Sequence, residues 1–346
     1  TAGAPDPHDF LGGHEIDGGL QEDPVNGGDF GSISWLAEGI FQEVEAWRSS
    51  PATTRGRLVI NLSLGWSPQY GGDPADAADC DTPENPDCKW PNDVKTVFAA
   101  LNHAQCSGAI VIAAAGNETG GPAFNTGALL PGLWETLPAP SDCSSWATSD
   151  QLDPTLSGST ASYEPLLYAA SGIDYKGDDI AIARRGGRAR LAAYADHAVA
   201  APRLNADAYT DTLTGTSVST TVLASAAAAV WFYRPDLSSH EVMEILYNSG
   251  SDIELEDANG NAYMVEADFC LGGGCDHTRR INVCEAAKLA CQTAPNIHNP
   301  CPTSMADFPA CGSWDKSSLV VDESPATLSA DLNTDLEYVE TSFSNA

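Results

Sequence analysis

Residues 212–230 read T-L-T-G-T-S-V-S-T-T-V-L-A-S-A-A-A-A-V, and this stretch decides how the rest of the chain is read. Thr214, Gly215 and Thr216 favour a turn over a helix, whereas Ala224 to Val230 carry high helix propensity. Ser217 therefore stands at or near the start of a long helix. Its hydroxyl lies beside unpaired backbone N–H groups and the positive end of the helix dipole. A serine there is either an N-cap, a common structural role, or a nucleophile held where developing negative charge is stabilised.

Two further stretches narrow the choice. Leu58 to Gly65, L-V-I-N-L-S-L-G, is a continuous apolar strand ending in Ser-Leu-Gly. Gly108 to Asn117, G-A-I-V-I-A-A-A-G-N, is a second buried strand ending in Ala-Gly-Asn. With the Gly-Thr-Ser turn, these resemble the subtilases, the subtilisin-like serine proteases, in motif and in order. The resemblance covers roughly residues 31–291 and implies a three-layer α/β fold, a mainly parallel sheet with helices on both faces. It implies Ser217 as nucleophile and Asn117 as oxyanion donor, with Ser63, Leu64 and Gly65 as one edge of the substrate cleft. Glu118, next to the asparagine, becomes a candidate wall of the primary specificity pocket that favours a basic side chain.

The chain departs from the family pattern in two places. The family's other triad members lie in a D-[ST]-G strand end and an H-G-T-H helix start, and neither motif occurs here. Of the seven histidines, only His8 and His14 precede the Ser63 strand. His14, in G-G-H-E-I-D-G-G, is the nearest imitation, but the Gly-, Asp- and Pro-rich segment after it has no room for the family's intervening helix and strand. The expectation is that the Asp and His lie upstream of Thr1 and that this chain alone is inactive. The second departure is Thr221, which stands where the family usually has proline.

Composition bounds the partners. Lys and Arg number 16 and Asp and Glu 48, a net charge of −32, which argues against nucleic acid and anionic membranes. No run approaches the ~20 apolar residues of a membrane span. The ten cysteines form no C-x-x-C pair, so disulfides in an oxidising, extracellular setting are the expectation. Cys80–Cys88 and Cys270–Cys275 are local candidates. The acidic loop from Asp73 to Asp93 is either a solvated loop closed by such a bridge or a structural calcium site; no cofactor is required.

Along the chain, residues 1–30 read as loop or insertion, 31–291 as the peptidase domain, and 292–346 as a Cys/Pro-rich, then acidic, tail. Helices are expected over 32–47, 93–105, from Ser217 until Pro235 stops it, 238–247 behind a Ser238-x-x-Glu241 capping box, and 281–291. Strands are expected over 57–64, 109–115 and 166–173, and a hairpin over 180–194 turning at Gly186-Gly187. Arg184, Arg185, Arg188 and Arg190 form the only basic cluster, paired with nearby carboxylates or facing an acidic ligand. The functional expectation is a serine endopeptidase acting on protein or peptide substrates, its oligomeric state open. A non-catalytic subtilase-like binding or scaffold module is the alternative. An unrelated esterase is disfavoured, because G-x-S-x-G is absent around Ser217.

Overall fold

The computed structural model describes residues 14–16, 19–21, 32–51, 55–80, 87–118, 126–144, 146, 159–198, 213–256, 260–293, 301, 308 and 311. One compact unit spans Thr1–Pro309 and a second spans Ala310–Ala346, of which only Cys311 is described. Most of 1–30 and 292–346 lies outside the described residues. A short antiparallel pair, β1 (His14–Ile16) and β2 (Gly19–Gln21), is the exception near the start.

The sheet grows from the apolar runs. β3 (Val59–Leu62), β4 (Ile110–Ala114), β5 (Tyr168–Ile173) and β6 (Leu191–Tyr194) lie side by side and parallel. Beyond β6 come β10 (Arg279–Arg280), parallel to it, and β7 (Ser251–Asp252), antiparallel, giving the order 3-4-5-6-10-7. β8 (Glu254–Glu256) and β9 (Ala262–Met264) pair separately. All of β4 and β5 is buried, which is why they read as unbroken apolar runs: both faces are covered.

Strand alternation sends the side chains of β4 to two cores. Val111 and Ala113 pack in the core that includes α1 (Ile33–Ser49) and α2 (Asn92–Cys106). Ile110 and Ile112 pack with α3 (Thr216–Tyr233), α4 (Ser239–Ser249) and α5 (Val283–Gln292). The result is a three-layer α/β fold with helices on both faces. The Ser238–Glu241 capping box is formed in full. Disulfides join Cys80–Cys88, Cys106–Cys143, Cys270–Cys275 and Cys291–Cys301, and none of the described cysteines is free.

The hairpin expected over 180–194 does not form. Only Leu191–Tyr194 is a strand, and it pairs with β5 in parallel. The segment before it instead crosses toward Asn117 and Thr126, with bridges Asn117–Ala183 and Thr126–Arg185. Arg184 explains the difference. Its guanidinium is buried and donates to the carbonyls of Gly127 (2.7 Å), Thr126 (3.3 Å) and Asn117 (3.5 Å), holding the segment against these three residues. Arg188 pairs with Asp179 and Arg190 with Asp276, so two members of the basic cluster meet carboxylates as expected.

Candidate active site

The carboxyl ends of β3, β4 and β6 converge on the first turn of α3. Gly215 caps that helix, with no side-chain hydrogen bond, and Ser217 lies one residue inside it. The N-cap reading of Ser217 is thereby corrected: the position before the helix is taken by glycine, so the serine hydroxyl is not used as a cap. It donates to the carbonyl of Ser63 at 3.3 Å. The Ser63 hydroxyl returns the contact to the carbonyl of Ser217 at 3.0 Å, tying the strand end of β3 to the helix start.

Asn117 follows the end of β4. Its Oδ1 accepts from the backbone N–H of Thr216 (3.0 Å) and from the Thr216 hydroxyl (3.1 Å). The Thr216 hydroxyl oxygen also accepts from the N–H of Gly116 at 3.1 Å, closing a small network between the two turns. With its oxygen engaged, Asn117 keeps its NH2 group as a donor without a partner among the described residues. That group lies against Gly215, where a Cβ would stand 2.9 Å from Nδ2, so residue 215 must be glycine for the asparagine to sit where it does.

Leu64 and Gly65 continue from Ser63. Gly65 lies so close to the next loop that a Cβ would stand 2.7 Å from the carbonyl of Leu130, and Trp66 pairs with Leu130 in a backbone bridge. Glu118 hands its N–H to the carbonyl of Ile182 at 2.7 Å, and its charge acts on the Arg184 guanidinium, opposing the depression that burial imposes on that group. Thr221 donates to the carbonyl of Ser217 (3.0 Å) and accepts from Asn61 of β3 (3.2 Å). The residue standing in place of the family's proline thus adds a second tie between α3 and β3.

No described histidine bonds Ser217. His103 contacts Glu45 (3.0 Å) and the Trp146 carbonyl (2.8 Å); His240 contacts Tyr168 (2.8 Å) and Gln105 (2.6 Å). His197 pairs with Asp196 at 2.8 Å. His14 is described only as backbone within β1, and His8 and His298 lie outside the described residues. The described residues also hold no His, Cys, Asp and Glu grouping fit for a metal ion. In the acidic loop, Asp73 caps a 3-10 turn through the N–H of Ala75 (2.9 Å) and Asp76 faces Lys89 (3.5 Å). Asp81 and Glu84 lie outside the described residues.

This geometry belongs to the class of α/β proteins that present a serine in the first turn of a helix at the carboxyl edge of a parallel sheet. The Subtilase family, Peptidase S8, matches residues 25–266, and the chain belongs to that family of serine proteases. Among solved structures, it is similar to the serine protease MycP1, an essential component of the type VII (ESX-1) secretion system. The identity is 22%, over 78% of this chain and 61% of that one, with a TM-score of 0.42. Another is the prenylagaramide maturation protease PagA, at 16% identity over 78% and 70% of the two chains, TM-score 0.44. MycP1 from Mycobacterium smegmatis gives 18% over 78% and 58%, TM-score 0.42. The chain thus spans less than two thirds of the length of the first of these. No curated protein matches.

Proposed function

We propose that the protein is a serine endopeptidase of protein or peptide substrates, with Ser217 as nucleophile and Asn117 as oxyanion donor. The observation that carries this reading is the division of the Asn117 side chain: its oxygen is held by Thr216, while its NH2 has no partner among the described residues and lies beside the serine turn. In this reading Ser217 Oγ attacks the scissile carbonyl, and the carbonyl oxygen takes the negative charge. Asn117 Nδ2 and the backbone N–H of Ser217 then donate to that oxygen. The hydroxyl proton passes to a histidine from outside the described residues, oriented by a carboxylate, and returns to the leaving amine. Ser63, Leu64 and Gly65 offer an extended edge along which substrate backbone pairs. Glu118 walls the primary pocket, but the neighbouring Arg184 offsets its charge, so the preference for basic side chains is modest. The peptidase domain is assigned to 31–291, and the disulfides and acidic surface fit a secreted protein.

The absence of a described histidine at Ser217 favours a second reading, a binding or scaffold module that kept the serine turn without the base. Labelling of the full-length protein with a fluorophosphonate separates the two. Covalent modification at Ser217, lost in Ser217→Ala, is the expected result. A full-length protein that does not label and cleaves no peptide establishes the module.

A further inference from the structure

The nucleophile turn is fastened on a third side, by groups that no part of the proposed chemistry uses. β6 ends at Tyr194, and the chain then runs antiparallel to the segment leading into α3. Ala198 and Leu213 exchange backbone hydrogen bonds at 2.8 Å, and Gly215 N–H donates to the Ala195 carbonyl at 2.9 Å. Between these contacts His197 takes φ +50°, the only positive φ among described residues other than glycine. A side chain in the left-handed region is unfavourable for an L-residue and persists where its surroundings hold it.

Thr214 is what holds it. The N–H of His197 donates to Thr214 Oγ1 at 2.9 Å. Thr214 Oγ1 donates in turn to Asp196 Oδ1 at 3.1 Å, and His197 Nδ1 meets the same oxygen at 2.8 Å. One hydroxyl therefore both accepts and donates across the junction. Thr214 ties the turn to the exit of β6, Thr216 ties it to the exit of β4 through Asn117, and Ser217 ties it to the exit of β3 through Ser63.

We propose that Thr214, clasped by Asp196 and the His197 backbone, is a positioning residue that sets the Gly215–Thr216 backbone and through it Ser217 and Asn117. This rests on Ser217 being the nucleophile. Thr214 touches neither substrate nor the reacting atoms. It acts by fixing the direction of the Thr216 N–H that pins Asn117 Oδ1. A hydroxyl is required, because an isosteric valine leaves the His197 N–H without its acceptor and takes from Asp196 Oδ1 one of its two contacts, leaving only His197 Nδ1.

The test uses full-length wild type, Thr214→Val, Thr214→Ser and Asp196→Ala, with two readouts. The first is the rate of fluorophosphonate labelling at Ser217, accompanied by kcat and KM on a peptide. The second is hydrogen exchange at the Thr216 amide. Thr214→Val should label about tenfold more slowly, the equivalent of one to two hydrogen bonds, with KM unchanged. It should also exchange the Thr216 amide faster. Thr214→Ser should restore both. Asp196→Ala, which removes the other end of the clasp, should shift both in the same direction and serves if the valine variant does not fold. Unchanged Thr216 exchange in folded Thr214→Val or Asp196→Ala overturns the clasp. If wild type does not label, yet Thr214→Val still speeds exchange at Thr216, the clasp stands and the nucleophile assignment falls.

Discussion

Asn117 serves two ends with one amide. Its oxygen holds the serine turn, and in the proposed mechanism its nitrogen donates to the oxyanion, so replacing it by alanine removes both. Asn117→Asp separates them, since the carboxylate still accepts from Thr216 but donates nothing. Losing one oxyanion donor costs about 3–4 kcal/mol of barrier, so both variants should lower kcat on the order of 100- to 1000-fold with the fold intact. Turnover of Asn117→Asp at the wild-type level would remove Asn117 from the chemistry. That the Asn117 and Ser217 turns meet is legible in sequence through the family resemblance, because each residue is joined to its motif by adjacent residues. The Asp196–Thr214 contact is not. It joins positions 18 residues apart, and nothing in T-L-T-G-T-S distinguishes Thr214 from an ordinary turn threonine.

At the scale of elements, periodicity and capping are strong guides where a segment's partners are apolar. Ser238 and Glu241 announce α4, and the helix starts where they place it, with the Ser238 side chain accepting from the Glu241 N–H and the Glu241 carboxylate accepting from the Ser238 N–H at 2.9 Å. The same Glu241 also receives the Thr160 hydroxyl at 2.8 Å, fastening the preceding loop. Ser238→Ala should cost about 1–2 kcal/mol in urea unfolding, and an unchanged midpoint would contradict the assignment. The 180–194 segment misleads for the opposite reason. Gly186-Gly187 imitates a hairpin turn, but Arg184 gains three carbonyl acceptors from a distant loop, and that tertiary contact outweighs the local signal.

At the scale of the molecule, a buried polar network links the two faces' elements around β5. Glu135 is fully buried; its carboxyl accepts from the Ala169 N–H (3.1 Å) and the Tyr163 hydroxyl (3.2 Å), and burial pushes its pKa up to about 8. Burial pushes His240 down to about 4. The signs follow from linkage. Folded Glu135 keeps its proton between pH 4.5 and 8 while the unfolded chain has lost it, so stability from this group falls as pH rises through that window. Folded His240 stays neutral between pH 6.5 and 4 while the unfolded chain gains a proton, so its contribution falls as pH drops. The two slopes offset between 4.5 and 6.5, and above 6.5 Glu135 acts alone. Glu135→Gln should therefore lose much of the decline in unfolding midpoint between pH 6.5 and 8. A decline equal to wild type would place the cause elsewhere. None of this is legible in sequence, where Glu135 reads as one more loop acid in a chain with 48 of them.

The sheet ends on one side at β3, whose outer edge has no strand partner among the described residues. Beside it α1 exposes Trp35 and, with Leu36 and Ile40, forms an apolar groove against Leu58, Val59, Ile60 and Leu62. Where no residue beyond those described pairs with it, such an edge with its greasy flank is a template for a further extended backbone, including that of another copy. The charge of −32 then takes on a colloidal meaning: copies that would zip edge to edge repel one another first. That protection is only as long as the screening length, about 8 Å at physiological salt, so concentrated salt turns the same rim from guarded to adhesive.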